Sequence, residues 1–402
     1  MEKLIIPEEI KGLYVDAAGN YNHIYRDKIP KTVKFCKKCV LSNQRPRVFF
    51  DEEGVCSACR YAEVKDTKIN WEGREKILKN ILNKYRRKDG HYDCIAPVSG
   101  GKDSGRVAHQ LKYKYDMNPL TVTFAPIRWT DIGWRNLRSL IDTGFDNILC
   151  IPNTQAYRLL VRLSTEYLGD PFQSFVYGIK AFPLQMAIKY KIPLIFYGEN
   201  GEVEYGGDMR NVDSFEHNAS DDLKDHYFKG MMPDEWEKFG VRNDYLRPFQ
   251  VPPVEQVEKL GIKCTWWSFF KKWIPQENYY YSSEHTGFKP NPDGRSEGTY
   301  SKYASLDDKF DGFHYYLGFM KFGIGRSTSD AAHEIRDGHI TREEGVRLVR
   351  KYDGEFPAKH FKEFLDYIDI TEDYFWKIAD KFRNPLIWEK INGEWKLKYQ
   401  VK

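Results

Sequence analysis

A glycine-rich turn, Ser99-Gly100-Gly101-Lys102-Asp103-Ser104, has the residue types that bind phosphate groups. An apolar run from Ile95 to Val98 precedes it, as expected of a buried strand, and apolar residues at helical spacing follow it. Two adjacent glycines let backbone N–H groups point inward. A helix N-terminus adds unpaired donors and the positive end of its dipole. The sequence therefore predicts a strand, a glycine turn and a helix that together bind phosphate.

Asp103 sets this turn apart from the ordinary nucleotide-binding loop. The pattern Gly-x-x-x-x-Gly-Lys-[Ser/Thr] would need a glycine at Ala96 and a hydroxyl at Asp103. A carboxylate among phosphate-binding groups requires a cation beside it, so Asp103 predicts Mg²⁺ bridging to a phosphate chain. The alternative is a serine-capped helix after a glycine turn, with no ligand.

The same six residues resemble the PP-loop of the N-type ATP pyrophosphatases. Those enzymes cleave ATP between the α and β phosphates, adenylate a carbonyl oxygen and let ammonia or sulfur displace AMP. The resemblance implies that ATP or pyrophosphate contacts Ser99, Gly100, Gly101, Lys102, Asp103 and Ser104. It also implies a catalytic role for Asp103.

Apolar runs alternate with helical patterns, which predicts an α/β fold with a doubly wound parallel sheet of the PP-loop ATP pyrophosphatase type. After the first strand, strands are predicted at Leu120 to Phe124, Asn147 to Ile151 and Ile192 to Tyr197. Helices are predicted at Trp71 to Arg87, Trp134 to Ile141, Tyr157 to Leu163 and Gly178 to Lys191.

The fourth predicted strand leads into an acidic loop, Gly198-Glu199-Asn200-Gly201-Glu202. In a doubly wound sheet, strands one and four flank the point where the winding reverses, and ligands bind at their carboxyl ends. We therefore expect this loop to face the glycine turn. Gly198, Glu199 and Asn200 are predicted ATP contacts, and Glu199 and Glu202 are predicted to bind Mg²⁺ together with Asp103. A solvated acidic loop is the alternative.

Four of the seven cysteines form the pattern Cys36-x-x-Cys39 and Cys56-x-x-Cys59. This spacing predicts an N-terminal zinc ribbon in which four thiolates bind Zn²⁺. Since four cysteines leave no open ligand position, the zinc should be structural. Disulfides and an iron–sulfur cluster are the alternatives. Cys94, Cys150 and Cys264 are isolated.

Two stretches of the C-terminal third are candidates for substrate binding. Thr265 to Trp273 holds three tryptophans and two phenylalanines, which fit a helix facing the core or a wall that stacks on a sugar through Trp266 and Trp267. Gly287 to Arg326 is dense in Gly, Pro and charges, which fits active-site loops held by ion pairs. Arg295 and Glu297 are predicted to contact substrate there. Lys321 and Arg326 are predicted to neutralise a leaving pyrophosphate; a structural salt-bridge network is the alternative.

Length and composition limit the classes of protein. The chain of 402 residues is long enough for two or three domains, predicted as the ribbon segment 1–65, the α/β part 66–260 and a mostly helical region 261–402. A net charge of +4 does not favour nucleic acid as a partner. The absence of a long apolar run or a signal-peptide pattern predicts a cytoplasmic protein without a membrane span.

The chain as a whole resembles the N-acetyl sugar amidotransferase family of bacterial surface-polysaccharide and flagellin-glycan biosynthesis. Four blocks carry the resemblance in order: the four-cysteine ribbon, Ser99 to Ser104, Tyr197 to Glu202, and the segment from Gly294-Arg295 through Lys321-Phe322-Gly323 to Ile335-Arg336-Asp337-Gly338. In that family an acetamido group on a sugar becomes an acetamidino group. The resemblance implies adenylation of the amide oxygen by ATP, attack by ammonia, and release of AMP and pyrophosphate.

The resemblance also implies partners. Ammonia would come from a separate glutaminase subunit with a cyclase-like subunit, since this chain has no cysteine-based glutaminase motif of its own. No residue stands out in the sequence as the general base. A tRNA-thiolating enzyme that joins a zinc ribbon to a PP-loop is the alternative function; it would need catalytic cysteines or an iron–sulfur cluster, and a basic face for RNA.

Overall fold

The computed structural model describes residues 3–6, 32–207, 209, 212–217 and 223–402. Residues 1–2 and 7–31 of the predicted N-terminal part lie outside the described residues. Among the described helices, none combines the length and the apolar character needed to cross a membrane.

A six-stranded sheet forms the centre of the molecule. Its strands are β1 Cys94–Pro97, β2 Pro119–Phe124, β3 Asn147–Cys150, β4 Leu194–Tyr197, β5 Glu216–His217 and β6 Lys263–Trp266. The order is β3-β2-β1-β4-β6-β5; the first five of these pair in parallel, and the two-residue β5 pairs antiparallel with β6 at one edge. The winding reverses between β1 and β4, so the predicted doubly wound α/β fold is confirmed.

Helices cover both faces of this sheet. They are α1 Ser57–Thr67, α2 Trp71–Tyr85, α3 Lys102–His109, α4 Asp131–Asp142, α5 Thr154–Leu168, α6 Gln173–Tyr190, α7 Gly201–Tyr205, α8 Asn243–Leu246 and α9 Val254–Leu260. A π-helical turn, Gln110–Lys114, extends α3, and short 3₁₀ helices occupy Pro233–Phe239 and Arg247–Phe249. The four helices predicted around the sheet are confirmed, with shifts at their ends.

Side chains of β1 alternate between two cores. Ile95 packs into the larger cluster, while Cys94, Ala96 and Val98 pack into the cluster on the opposite face. Because successive side chains of a strand point to opposite faces, a strand buried on both sides must be apolar at nearly every position. This explains the continuous apolar run that precedes the glycine turn.

The aromatic segment Thr265 to Trp273 differs from the expected helix. Its first residues end β6, the fifth parallel strand, and one turn of helix follows as α10 Trp267–Phe270. The strand lies beyond residue 260, where the α/β part was expected to end. Helical and strand patterns are hard to separate in so short an apolar run, and pairing with β4 decides the outcome.

The rest of the chain is mostly helical, as predicted. It comprises α11 Pro275–His285, α12 Asp311–Phe322, α13 Arg326–Arg336, α14 Arg342–Tyr352, a 3₁₀ turn Ala358–His360, α15 Phe361–Ile368, α16 Glu372–Phe382 and the hairpin β7 Trp388–Ile391 with β8 Glu394–Leu397. Thr341 and Glu344 form the predicted capping box of α14. The segment from Gly287 to Phe310 is irregular, as expected, whereas α12 and the hairpin were not predicted.

Candidate functional site

The glycine turn has the conformation that its sequence indicates. Gly100 has φ +85°, and a Cβ on it would lie 2.4 Å from the backbone nitrogen of Leu137 in α4. Only glycine fits there. Ser99 Oγ accepts a hydrogen bond from the Gly101 N–H at 3.2 Å, and Ser104 Oγ accepts one from the Ser99 N–H at 3.3 Å. The two serines therefore fix the turn that leads from β1 into α3.

Asp103 is held in place from a second helix. Asn278 of α11 donates a hydrogen bond to Asp103 Oδ1 at 2.7 Å, and the Lys102 ammonium group pairs with Oδ2. Arg106 in turn donates to Asn278 Oδ1 at 2.6 Å. The Asp103 side chain remains 34% exposed, so its carboxylate can still reach a ligand. Asn278 is a positioning residue that the sequence did not single out.

A cavity of about 160 Å³ opens beside the glycine turn. The turn residues from Ser99 to Asp103 form one wall, and the segment from Tyr303 to Asp307 with Arg326 forms another. Burial raises the pKa of Asp307 to about 6, the charge of Asp311 adds to this, and a hydrogen bond with the Ser99 side chain opposes it. Asp307 is thus a second carboxylate at the glycine turn.

Glu199 adds a third carboxylate from the acidic loop after β4. Burial raises its pKa to about 7, and the negative charge of Asp103 raises it further. The two carboxylates are therefore electrostatic neighbours, as predicted for loops that face each other across the point where the winding reverses. Asn200 follows as the N-cap of α7, and its Oδ1 accepts from the N–H groups of Glu202 and Val203 at 3.0 and 3.5 Å.

Glu202 points toward the cysteine-containing segment. Its carboxylate forms an ion pair with Arg47 at 2.8 Å. Two residues on, Glu204 forms a buried ion pair with Lys65 of α1 at 2.7 Å. The acidic loop therefore contributes Glu199 to the site and uses its next two carboxylates to hold the N-terminal segment.

The four predicted metal ligands converge. Among the described residues, the sulfur atoms of Cys36, Cys39, Cys56 and Cys59 all lie within 4.8 Å of one another. Two of the Sγ–Sγ distances are 3.7 and 3.8 Å. Four thiolates around one Zn²⁺ at the usual bond length are about 3.8 Å apart. The donor set therefore fits a single tetrahedral ion, whereas the ligands of a cubane cluster bind different irons and lie farther apart.

The cysteine cluster is buried against the C-terminal region. Its hydrophobic surroundings include Ala331, Ala332, Val346 and Val349 of α13 and α14. Four backbone N–H groups point at its sulfurs, at 3.3 to 3.5 Å. A closed, buried cluster with amide donors is typical of a structural metal site.

The two predicted pyrophosphate-binding cations lie apart. Arg326, at the start of α13, lines the cavity at the glycine turn and pairs with Asp330 at 3.1 Å. Lys321, at the end of α12, is buried, and its Nζ donates to the Leu168 carbonyl at 3.0 Å. Burial lowers the pKa of Lys321 to about 7. Of the two, only Arg326 is among the residues that line this cavity.

Arg295 and Glu297 line a second cavity of about 380 Å³. Arg295 makes a bidentate ion pair with Glu355 at 2.7 and 2.8 Å, and Glu297 accepts from the Lys359 N–H at 3.2 and 3.3 Å. This cavity shares Ser305 and Leu306 with the one at the glycine turn. The structure thus places the predicted substrate residues in a wall next to the predicted phosphate site.

Trp266 and Trp267, the other predicted substrate residues, lie in the interior. Trp267 packs edge-on against Phe196 and Tyr115, and both tryptophans are buried. Neither lines either of these two cavities. The aromatic density of this segment is therefore explained by packing around β6 and α10.

Fold and site together define a doubly wound α/β protein with a glycine turn and three carboxylates at the reversal of strand order. Comparisons with known proteins add one local assignment. Residues 297–402 match a protein-family model described as "LPS biosynthesis protein WbpG-like, C-terminal domain". This match covers part of the second cavity wall, from Glu297 onward, and all helices from α12 onward.

Two further similarities were found. The uncharacterized protein MJ1599 of Methanocaldococcus jannaschii is 31% identical over 88 residues, which are 22% of this chain and 31% of the relative. The chain thus matches about a third of that relative's length. The solved structure of the U34-tRNA thiolase NcsA from Methanococcus maripaludis, with its [4Fe-4S] cluster, is similar over 82% of this chain and 91% of that chain, at 15% identity and a TM-score of 0.27. A TM-score this low supports no functional inference.

Proposed function

We propose that this chain is an ATP-dependent amidotransferase that converts the acetamido group of an N-acetylated, nucleotide-linked sugar to an acetamidino group. The amide oxygen attacks the α-phosphorus of ATP, an O–P bond forms and pyrophosphate leaves. Ammonia then attacks the carbon of the adenylated amide. A C–N bond forms, the bond from that carbon to the adenylated oxygen breaks, and AMP leaves. The products are AMP, pyrophosphate and an acetamidine.

The observation that carries the proposal is the grouping of charges at the glycine turn. Asp103, Glu199 and Asp307 supply carboxylates, while Lys102 and Arg326 supply cations beside the turn's backbone N–H groups. Carboxylates beside a phosphate-binding turn are useful when Mg²⁺ joins them to a phosphate chain. The WbpG-like match over residues 297–402 supports a role in surface-glycan biosynthesis.

Each group then has a task in the reaction. The turn from Ser99 to Ser104, with the Lys102 ammonium group, binds the phosphates, and Arg326 offsets the charge of the leaving pyrophosphate. Lys321 donates to the Leu168 carbonyl and is not assigned to this role.

Asp103 and Glu199 would hold Mg²⁺, which stabilises charge on the phosphate oxygens when bound. Glu202 is paired with Arg47 and is not assigned to the metal. Gly198 and Asn200, in the acidic loop after β4, would form the side of the nucleotide site that faces the glycine turn.

The four-cysteine cluster and the second cavity are candidate positions for the metal and for the sugar. Zn²⁺ in the four-cysteine cluster would be structural. The sugar would lie in the second cavity, between Arg295, Glu297 and the shared wall of Ser305 and Leu306. Ammonia would be supplied by a glutaminase subunit with a cyclase-like subunit, and a site closed to water would protect the adenylated intermediate from hydrolysis.

The alternative, tRNA thiolation, requires a reactive thiol or a cluster near the glycine turn. Burial raises the pKa of Cys94 well above its usual range, that of Cys150 to about 11 and that of Cys264 to about 12. None of the three lines the cavity beside the turn. Thiols that stay protonated are poor nucleophiles, which disfavours tRNA thiolation by these three cysteines.

The test measures AMP and pyrophosphate after incubation of the protein with ATP, Mg²⁺, ammonium chloride and a panel of UDP-linked monoacetamido and diacetamido hexoses. We expect sugar-dependent AMP formation and a product about one mass unit lighter than the sugar, because NH replaces oxygen. Bulk tRNA replaces the sugar in a parallel reaction. AMP formation only with tRNA, or conversion of ATP to ADP, would refute the proposal.

A further inference from the structure

The two cavities share one short stretch of wall, residues 305–308, which we call the junction segment. Ser305 and Leu306 line both cavities. Asp307 lines the cavity beside the glycine turn, and Asp308 lines the second cavity. The proposed reaction places the α-phosphate of ATP in the first cavity and the sugar ring in the second. The acetamido group that must meet the phosphate therefore lies beside the junction segment.

The junction segment is fixed to the loop between β2 and α4. The Asp307 carbonyl accepts a hydrogen bond from the Thr130 N–H at 3.2 Å, and just beyond the segment the Lys309 N–H donates to the Arg128 carbonyl at 2.8 Å. A Cβ on Gly133, in the first turn of α4, would lie 2.5 Å from the Asp307 Cα. The backbone of Asp307 thus lies directly against α4, which is the rigid support that a residue needs to orient a substrate.

Ser305 has two features that a ligand would explain. Its φ is +55°, in the left-handed region that a residue with a Cβ seldom adopts. Its Oγ is buried and, among the described residues, has no hydrogen-bond partner. Backbone strain is often found at ligand sites, and a buried polar atom without a partner needs an explanation. Because Ser305 lines both cavities, a ligand that spans them would supply the missing partner.

The two carboxylates of the junction segment differ in the acceptor capacity that they retain. Both oxygens of Asp308 accept backbone N–H groups, Oδ2 from Ile127 and Oδ1 from Phe310. Asp307 accepts from the Ser99 side chain, and a carboxylate has about four lone-pair positions in all. Burial raises the pKa of Asp307 to about 6, so most of this group is ionised at neutral pH. Asp308 therefore holds the backbone, whereas Asp307 can accept a further hydrogen bond where the cavities meet.

We propose that Asp307 accepts a hydrogen bond from the N–H of the reacting acetamido group, which restricts the substrate to secondary acetamides. The inference rests on the proposed function. During adenylation the amide oxygen forms a bond to the α-phosphorus, the bond from that phosphorus to the departing pyrophosphate breaks, and the proton stays on nitrogen. Positive charge develops on this N–H. A carboxylate fixed beside it stabilises that charge and makes the amide oxygen more nucleophilic.

The experiment removes each partner of this hydrogen bond in turn, in the full-length protein. Asp307→Asn keeps the size of the side chain and loses its charge. An analogue of the active sugar of the panel, N-methylated at its acetamido groups, keeps the carbonyl and lacks the N–H. Adenylation is followed by sugar-dependent exchange of labelled pyrophosphate into ATP without ammonium. Mg²⁺-dependent ATP binding is measured by calorimetry without sugar.

We expect wild-type protein to exchange pyrophosphate about 100-fold faster with the N-acetyl sugar than with its N-methyl analogue. Asp307→Asn should lose about 100-fold in exchange with the N-acetyl sugar. Its preference for the N-acetyl sugar should fall to within about tenfold, because both changes remove the same interaction. ATP binding should stay within about threefold of wild type. Asp366→Asn, which removes an exposed carboxylate of α15, is the matched control and should behave as wild type.

Four results would overturn the inference. Exchange by Asp307→Asn within about threefold of wild type would show that the carboxylate is not used. Equal losses with both sugars, which leave the preference unchanged, would indicate a role in folding. ATP binding weakened more than about tenfold would make Asp307 a metal ligand. Wild-type protein that catalyses no exchange with any sugar of the panel would refute the proposed function and, with it, this role for Asp307.

Discussion

Lys65 and Glu204 form an ion pair of 2.7 Å whose side chains are only 5% and 2% exposed. Lys65 belongs to α1, which also carries Cys59, and Glu204 belongs to α7 in the acidic loop after β4. Together with the pair between Arg47 and Glu202, this contact joins the cysteine cluster to the loop that contributes Glu199. The four-cysteine cluster is thus part of the support of the candidate site.

Lys65→Met should destabilise this junction. Removing one partner leaves a buried charge without compensation, which typically costs about 3–5 kcal/mol. The double variant Lys65→Met with Glu204→Leu should recover much of the loss, because it leaves no buried charge. Thermal unfolding followed by calorimetry tests this. A double variant as unstable as Lys65→Met alone would contradict the explanation.

Cys56→Ser should lower bound zinc from about one ion per chain to well below that value, since three thiolates hold the metal less tightly than four. Loss of the metal should also loosen α13 and α14, whose apolar residues surround the cluster. Elemental analysis measures the zinc, and limited proteolysis reports on the helices. Cys150→Ser, a change outside the cluster, is the control. Iron with a visible absorption band in the wild type would exclude zinc as the resident metal.

Gly100→Ala should remove nucleotide binding. A left-handed φ costs a residue with a Cβ roughly 1–2 kcal/mol, and the Cβ would also approach the Leu137 nitrogen to 2.4 Å, so α4 must shift. Gly318→Ala in α12 is the matched control, since its added methyl group meets nothing within 4 Å. ATP titrations by calorimetry compare the two. Unchanged affinity in Gly100→Ala would mean that ATP does not use this turn.

Asp103→Asn should abolish turnover while leaving the fold and the zinc content intact. The amide keeps the shape of the side chain and can still hydrogen-bond Asn278, but it loses the negative charge that a Mg²⁺ ligand needs. Sugar-dependent pyrophosphate release measures turnover, and circular dichroism checks the fold. Activity within tenfold of wild type would refute a metal role for Asp103.

The pH dependence of nucleotide binding should report on Glu199. Its pKa of about 7 in the folded protein lies above the ordinary 4.5. Without metal, the stability linked to this group is therefore present below pH 4.5 and is lost as the pH rises through about 7. Metal binding needs the ionised form, so Mg²⁺-dependent affinity for ATP should rise from about pH 6 to about pH 8. The Glu199→Gln variant should bind ATP with Mg²⁺ more weakly, and its affinity should change less with pH. If the affinity of the variant changes with pH as in wild type, another group causes the dependence.

The sequence was sufficient for the parts of the fold that local patterns encode. Strand runs, glycine turns and helix caps are local, so β1 to β4, the turn after β1 and the capping box of α14 were predicted near their observed positions. The strand at the start of the segment Thr265 to Trp273 was not predicted, because its secondary structure depends on pairing with β4. The hairpin of β7 and β8 was missed, although Asn392-Gly393 between its strands has the positive φ angles and the residue types of a two-residue hairpin turn.

The site was predictable to the same extent. The glycine turn, the four cysteines and Glu199 follow from motif and topology. Asp307 and Asn278 do not, because their partners are far away along the chain: Asn278 lies 175 positions from Asp103, and Asp307 lies about 200 positions from Ser99. Asp307 lies within the charged segment from Gly287 to Arg326, but only the folded chain shows that its side chain meets that of Ser99.

The N-terminal cysteine cluster is held by a residue about 300 positions later in the chain. Arg342 donates hydrogen bonds to the carbonyls of Cys36 and Cys39, 306 and 303 positions earlier, and also to the carbonyl of Lys402. During synthesis the first cysteine pair leaves the ribosome long before the residues that cover it, at a pace of about 5–20 residues per second. An ion that binds before Arg342 has been synthesised would meet an uncovered cluster, which the folding of α13 and α14 then encloses. An ion that arrives after folding would have to reach the sulfurs past these two helices.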